Sequence, residues 1–301
     1  MTAAPRPFCA EVARDAGELL AATASRIEHW LLVEYRGHWP YEALDAAVFA
    51  GPLREHLAAQ LARLPRARLL LVKRPGRRAD TSVHVVYGRT AETGAELRAL
   101  EVERHEDLLD LDLSKSPGRP LEHPLLLVCT HGIRDRCCAR YGQALLREIV
   151  RQEAERDWVW QATHVGGDRF AGNLVILPEG LYFGRVGDDD VAPILTSYRS
   201  GRIELSCYRG RACHPFAVQA AEGHVRRTTG LTEIGDLAVL RARRDARDRF
   251  TVELLAVDAG IVHEVEVVVE LGEPALLTCK AKEPQRPRHH VVRAHRERRA
   301  S

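Results

Sequence analysis

Two apolar runs, each followed at once by a residue that binds metals, constrain this chain more than any other feature. The first run, Pro124–Val128, leads into Cys129, and the second, Trp158–Thr163, leads into His164. The segment between them has the periodicity of an amphipathic helix. The pattern predicts two neighbouring strands joined by a helix, with the residues that follow each strand meeting in one shared loop pocket.

The polar residues after these runs are metal-ligand types. The first loop supplies the thiols of Cys129 and Cys138, and the second supplies the imidazole of His164 and the carboxylate of Asp168. Two soft thiolates with nitrogen and oxygen donors suit an iron–sulfur cluster or a zinc ion. The residues alone leave the choice between these two open.

Composition limits the class of partner. Among 301 residues, 44 are Lys or Arg and 42 are Asp or Glu, a net charge of +2 that predicts no bulk attraction to nucleic acid or anionic lipid. No apolar segment approaches the ~18 residues of a membrane span. We therefore expect a cytoplasmic protein without a membrane partner. Seven cysteines, an odd number, favour metal ligation, redox chemistry or burial over a disulfide framework.

Helical and extended patterns alternate along the chain, which predicts an α/β fold. Residues 121–205 have the order strand, helix, strand, hairpin and closing helix, which is the plan of a thioredoxin-like domain. Residues 1–115 alternate similarly and are predicted to be a second thioredoxin-like domain, a structural companion in tandem with the first. The linker between them is Ser114–Pro120, which is polar and contains two prolines.

Residues 206–301 are predicted to form a C-terminal helix-plus-strands extension. Its helix spans His214 to Arg227 and ends before Gly230. The basic tail that closes the chain is expected to be disordered, with docking of an acidic redox partner as the alternative. The three expected strands are Phe250–Val257, Ile261–Leu271 and Ala275–Cys279.

Several motifs, in order along nearly the whole chain, resemble the sucrase/ferredoxin-like family. They are Cys129-Thr-His-Gly-x-Arg-Asp-x-Cys-Cys-Ala139, His164-Val-Gly-Gly-x-Arg-Phe-Ala-x-Asn173, Leu-Pro-x-Gly180, the strand Trp-Leu-Leu-Val-Glu34 after an N-terminal cysteine, Tyr208-Arg-Gly-Arg211 and Gln219-Ala-Ala-Glu222. The middle unit is also similar to thioredoxin-like [2Fe–2S] ferredoxins. The resemblance implies a [2Fe–2S] cluster and electron transfer with a redox partner protein.

The resemblance also assigns ligands residue by residue. Cys129, Cys138 and His164 match cluster ligands, while Asp168 stands where the family pattern His-x-x-x-His has its second histidine. A carboxylate is a harder donor than imidazole and carries negative charge. Two residues of the first loop are the expected substitutes for this fourth ligand, namely His131 and Cys137.

The main functional hypothesis is therefore an electron carrier rather than a catalyst. The alternatives are a zinc-binding structural or hydrolytic domain and a scaffold that has lost its metal. A thiol oxidoreductase is disfavoured because the chain contains no Cys-x-x-Cys motif. Glycoside hydrolysis needs two carboxylates flanking one bond, and no such pair stands out. Four cysteines without a partner at ligand spacing are expected to be structural: Cys9, Cys207, Cys213 and Cys279.

Overall fold

The computed structural model describes residues 7–76, 81–153 and 156–300, and the outermost residues of the first and last predicted domains lie outside these ranges. The fold is a mixed α/β arrangement, as the alternation predicts. Its helices are α1 (Cys9–Asp15), α2 (Pro52–Ala62), α3 (Arg136–Gln152), α4 (Asp188–Arg199) and α5 (Phe216–Thr229).

The first ten strands form one sheet with the order β10-β9-β8-β6-β7-β2-β1-β3-β4-β5. These strands are β1 (His29–Glu34), β2 (Ala67–Lys73), β3 (Val83–Arg89), β4 (Glu96–Val102), β5 (Arg119–Pro120), β6 (Leu125–Cys129), β7 (Val159–Ala162), β8 (Leu174–Leu177), β9 (Leu181–Phe183) and β10 (Tyr208–Arg211).

The centre of the sheet positions the predicted ligands. Strands β6 and β7 are parallel, and Cys129 at the end of β6 lies opposite Ala162 at the end of β7. His164 follows two residues later. Two neighbouring parallel strands need a crossover connection, and helix α3 provides it. The loops that follow these two strands therefore lie at the same edge of the sheet.

Helix α3 is held on this sheet by its apolar face. Leu145 and Ile149 are buried against Leu126 and Val128 of β6. Burying a side chain of this size contributes about 1.5–3 kcal/mol. The alternate residues of β6 point to the opposite face, where Leu127 joins the other apolar cluster. Both faces of β6 are thus covered, which explains its continuous apolar run.

The two predicted thioredoxin-like domains share this sheet, so two separate tandem domains are not confirmed. Strand β2 pairs with β7 through Val72 and Ala162. One apolar core takes Trp30 and Leu32 from β1 together with Leu125 and Leu127 from β6. Both units contribute side chains to this core, so the core is continuous between them. The boundaries 1–115, 121–205 and 206–301 stay predictions.

The C-terminal part differs from expectation. Its four-stranded antiparallel sheet packs against α5, which ends at Gly230 with φ of 78°. The predicted strand Ala275–Cys279 is instead part of a loop with one isolated bridge. The basic tail is a paired strand rather than a disordered end. The strands are β11 (Leu237–Ala246), β12 (Arg249–Ala256), β13 (Ile261–Leu271) and β14 (Arg288–Arg299).

Candidate metal centre

Three of the predicted ligands converge at the edge where β6 and β7 end. One donor atom each of Cys129, Cys138 and His164 lies within 4.8 Å of the other two. Both cysteines are fully buried, whereas the His164 side chain is 18% exposed. The thiols therefore form the inner wall of the pocket and the imidazole forms its rim.

Local structure explains how Cys138 reaches Cys129. The Asp135 carboxylate caps α3 by accepting a 2.8 Å hydrogen bond from the Cys137 amide. One turn later, Gly142 lies so close to β6 that a Cβ atom there would be 2.0 Å from the Cys129 carbonyl oxygen. Only glycine permits this approach. The first turn of α3 is therefore pressed against the end of β6.

The two thiols act as a coupled pair. A hydrogen bond from Cys138 holds the pKa of Cys129 well below its usual value, and His164 acts in the same direction against the opposing effect of burial. The same contact and burial raise the pKa of Cys138 well above its usual value. A proton is therefore lost more easily from Cys129 than from Cys138, and a bound cation would favour loss of both.

Asp168 completes the group from the second loop. Its Oδ1 atom is 3.0 Å from the His164 Nδ1 atom and 3.5 Å from the Cys138 sulfur. Although the histidine nitrogen is this close, it is buried and makes no hydrogen bond within the described part of the chain. Burial raises the pKa of Asp168. An imidazole nitrogen without a hydrogen bond beside a carboxylate suits a bound cation.

Two arginines next to the predicted ligands form ion pairs with glutamates outside the site. The Arg169 guanidinium lies 2.7 Å from Glu18, and Arg134 lies 2.6 Å from Glu42. Each pair joins a ligand loop to the N-terminal half of the chain. These charge-assisted hydrogen bonds help to shape the loops. They leave the Asp168 carboxylate facing the cysteine and the histidine.

Arg209 is a supporting residue whose role the sequence did not reveal. It is buried, and it donates hydrogen bonds of 3.1 Å to the Gly166 carbonyl and 2.7 Å to the Asn173 side chain. Its guanidinium packs where a Cβ atom of Gly167 would otherwise lie. Burial lowers its pKa to about 10, so it stays cationic at neutral pH. The only signal for it was its place in the Tyr-Arg-Gly-Arg motif.

Of the two expected substitutes for the fourth ligand, His131 lines the same cleft as His164, whereas Cys137 lies in another group of thiols. His131 is buried with its Nε2 atom 2.8 Å from the Pro40 carbonyl oxygen, so that nitrogen donates to the backbone. Burial lowers the pKa of this histidine. Cys137 is turned toward Cys9 and Cys279. That contact also corrects the expectation that Cys9 and Cys279 have no ligand-type neighbours.

His164 opens onto a polar cleft of about 260 Å³. Its lining includes Tyr41, Glu42, Arg68, Arg134 and Thr163. The cleft gives solvent and protons a route to the imidazole, while the thiols stay excluded from water. The arrangement suits a buried metal centre with one accessible edge.

This chain belongs to the sucrase/ferredoxin-like family, because the sequence model of that family matches residues 20–210. Curated relatives named "Altered inheritance of mitochondria protein 32" match a shorter stretch. The protein of Meyerozyma guilliermondii is 41% identical over 95 residues, which are 29% of this chain and 34% of the relative. That of Clavispora lusitaniae is 32% identical over 99 residues, 31% of this chain and 36% of the relative. The match thus spans about a third of those relatives.

No solved structure matches this chain. In the part of the chain that the structure describes, none of the helices combines the length and apolar character needed to cross a bilayer. The family membership rests on the sequence match over residues 20–210.

Proposed function

We propose that this protein is an electron carrier in which Cys129, Cys138, His164 and Asp168 hold a [2Fe–2S] cluster. The observation that carries the proposal is the pairing of two fully buried thiols with an imidazole whose buried Nδ1 atom has no hydrogen bond among the described residues. Thiolates are the usual ligands of such clusters, and histidine replaces cysteine on one iron in a known class of them. The cluster would supply one-electron transfer.

The surrounding residues support that role. The coupled Cys129 and Cys138 thiols are excluded from water, and the buried Arg209 cation lies behind the second loop. A fixed positive charge near a redox centre favours its reduced form. His164 is the ligand nearest solvent, so we infer that a redox partner protein docks over the polar cleft at its edge.

We also infer a thioredoxin-like fold for residues 121–205. The order β6, α3, β7, then the β8–β9 hairpin and α4 supports it. The first half repeats the order strand, helix, strand and hairpin with β1, α2, β2, β3 and β4. A cytoplasmic location stays a prediction, and the matched relatives carry a name that refers to mitochondria.

A zinc-binding domain is the second candidate, and one observation favours it. The donor atoms of Cys129, Cys138 and His164 all lie within 4.8 Å of one another, which is compact enough for one tetrahedral ion. Zinc would then serve a structural role here, because its preferred donors are present and no redox change is available to it.

Anaerobic purification followed by iron, zinc and sulfide analysis separates the two candidates. We expect equal amounts of iron and acid-labile sulfide, a visible absorption spectrum, and an electron paramagnetic resonance signal after reduction. Cys138→Ala should lose all three, whereas the matched control Cys207→Ala, which alters a buried cysteine in another apolar cluster, should keep them. Zinc at this site without iron or sulfide would overturn electron transfer.

A further inference from the structure

A second group of thiols lies on the other side of the first turn of α3. The sulfur atoms of Cys9 and Cys137 are 3.5 Å apart, those of Cys137 and Cys279 are 3.4 Å apart, and those of Cys9 and Cys279 are 3.7 Å apart. The three residues come from α1, from α3 and from the loop between β13 and β14. They form a nearly equilateral triangle of sulfur atoms.

The Asp135 carboxylate closes this group. It is fully buried, and both of its oxygens lie 3.8 Å from the Cys9 sulfur. The oxygens also accept hydrogen bonds from the amides of Cys137 at 2.8 Å and Cys279 at 2.7 Å. Within the described residues, no Lys, Arg or His lies within ion-pair distance of it. Among the described residues, this buried carboxylate therefore has backbone amides but no cationic side chain to balance its charge.

Backbone amides donate to two of the three sulfurs, whereas the Cys9 sulfur faces the Asp135 carboxylate. The Ala10 amide donates to the Cys137 sulfur at 3.4 Å, and the Cys9 amide donates to the Cys279 sulfur at 3.5 Å. The amino end of α3, a helix of 17 residues, adds its positive dipole at Cys137. Both features place positive potential next to sulfur atoms of this group. The same cysteines also pack against Ala10 and Ala171 in a small buried cluster.

The sulfur–sulfur distances suit three thiolates bound to one metal ion better than they suit a disulfide. Thiolates bound to one zinc ion at about 2.3 Å lie ~3.8 Å apart in a tetrahedron, close to the distances found here. A disulfide needs about 2.05 Å between sulfurs and would leave the third cysteine and the carboxylate unused. The carboxylate, a hard donor, favours Zn²⁺ over ions that prefer only sulfur.

We propose that Cys9, Cys137, Cys279 and Asp135 form a structural Zn²⁺ site. Its ion would neutralise the buried carboxylate and fasten α1 and the β13–β14 loop to the amino end of α3. The same junction is supported by a hydrogen bond from Lys280 to the Ile133 carbonyl. Because Cys137 precedes Cys138, the site also fixes the turn that carries a predicted cluster ligand. The proposal does not depend on which metal, if any, the first centre holds.

The test measures zinc and iron in the full-length chain purified anaerobically with a metal-free affinity tag. We expect about one zinc per chain in addition to any metal at the first centre. Cys279→Ser and Cys137→Ser should lose this zinc, and Cys207→Ser, the matched control, should keep it. Cys138→Ala should lose the metal of the first centre and keep the zinc, so failure of either proposal is visible separately.

Two further measurements guard against a variant that misfolds. Cys279→His restores a zinc donor and should retain the zinc, and Co²⁺ bound in place of zinc should give sulfur-to-cobalt charge-transfer bands and tetrahedral visible bands in the wild type. Those bands should persist in Cys138→Ala, which removes the first centre, and be absent when Cys138→Ala is combined with Cys279→Ser. The proposal would be overturned if Cys279→Ser kept its zinc or lost iron instead of zinc. It would also be overturned if mass spectrometry found a Cys9–Cys137 disulfide after purification under reducing conditions.

Discussion

The Nδ1 atom of His164 lies 3.0 Å from the Oδ1 atom of Asp168, four residues further along the chain. The family pattern places a second histidine at the aspartate position. The structure puts the carboxylate within 3.5 Å of the Cys138 sulfur as well, so the aspartate side chain reaches the same group of donors. This contact makes Asp168 the residue at which the chemistry of the centre is most readily changed.

Replacing Asp168 with histidine should stabilise the cluster and raise its reduction potential. The substitution exchanges an anionic oxygen for a neutral nitrogen, and removing one charge within a few ångström of the proposed cluster, at an effective dielectric of about 20, gives a shift on the order of 100 mV. Protein-film voltammetry of both proteins measures it. Asp168→Asn, which removes the charge without adding an imidazole, is the control and should retain less cluster than Asp168→His. Equal potentials in all three proteins would mean that Asp168 is not a ligand.

Cys129→Ala should abolish metal binding at the first centre, while Cys213→Ala should leave it intact. Cys129 forms the inner wall of the pocket, and its thiolate is favoured by Cys138 and His164. Iron and sulfide content and the visible spectrum give the readout. A full spectrum in the Cys129→Ala protein would remove this cysteine from the ligand set.

Sequence patterns predicted those parts of the site that lie at the ends of single strands or helices. The run ending at Cys129, helix α3 and the run ending before His164 are each encoded by a short apolar pattern, so their residues could be placed together in advance. Strand β6 and helix α5 were predicted for the same reason. The β8–β9 hairpin was predicted from its turn residues.

The remainder depends on contacts between distant segments. Cys9 and Cys279 lie 270 residues apart, and Cys137 is 128 and 142 residues from them, so no spacing rule connects them. Strand β14 was missed because its many charged residues resemble a solvated tail. Its polar side chains are tolerated because it is an edge strand, paired only with β13 among the described strands.

Gly142→Ala should destabilise the protein although alanine is the better helix former. Alanine in a helix interior normally gains about 1 kcal/mol over glycine. Here its Cβ atom would lie 2.0 Å from the Cys129 carbonyl oxygen, so α3 must move away from β6. We expect a loss of about 2–3 kcal/mol in the free energy of unfolding and reduced metal content. Chemical denaturation measures the first. Gly235→Ala, where a Cβ atom meets nothing within 4 Å, should change stability little.

Arg209→Met should lower the free energy of unfolding by about 3 kcal/mol, because it leaves the Gly166 carbonyl and Asn173 side chain without their buried donor. Arg209→Lys should recover only part of that loss, since an ammonium group lacks the planar fork that reaches both acceptors. The exposed Arg202→Met is the control, with an expected change below about 0.5 kcal/mol. Urea denaturation at neutral pH compares the three. Equal stability of the methionine and lysine variants would show that charge and geometry at Arg209 do not matter.

The buried ion pair of His214 and Glu222 should make stability depend on alkaline pH. The two side chains are 3.0 Å apart, and Arg226 lies 3.0 Å from the other carboxylate oxygen. Burial alone would lower the pKa of His214, but the Glu222 carboxylate together with Cys213 outweighs it and raises that pKa from 6.5 to about 9. A histidine with a higher pKa in the folded state binds more protons there than in the unfolded chain. Its stabilisation is therefore complete below about pH 6.5 and is lost as the pH rises toward about 9.

His214→Gln tests this directly by urea denaturation across that range. At about pH 6 the variant should be less stable than the wild type by on the order of 3 kcal/mol, and the difference should shrink as the pH rises through about 9. Because cysteines titrate in both proteins, subtracting one profile from the other removes their contribution. His38→Gln, which alters an exposed histidine, should follow the wild-type profile. A stability difference between His214→Gln and the wild type that stays constant from about pH 6 to 9.5 would show that His214 is not protonated through its contact with Glu222.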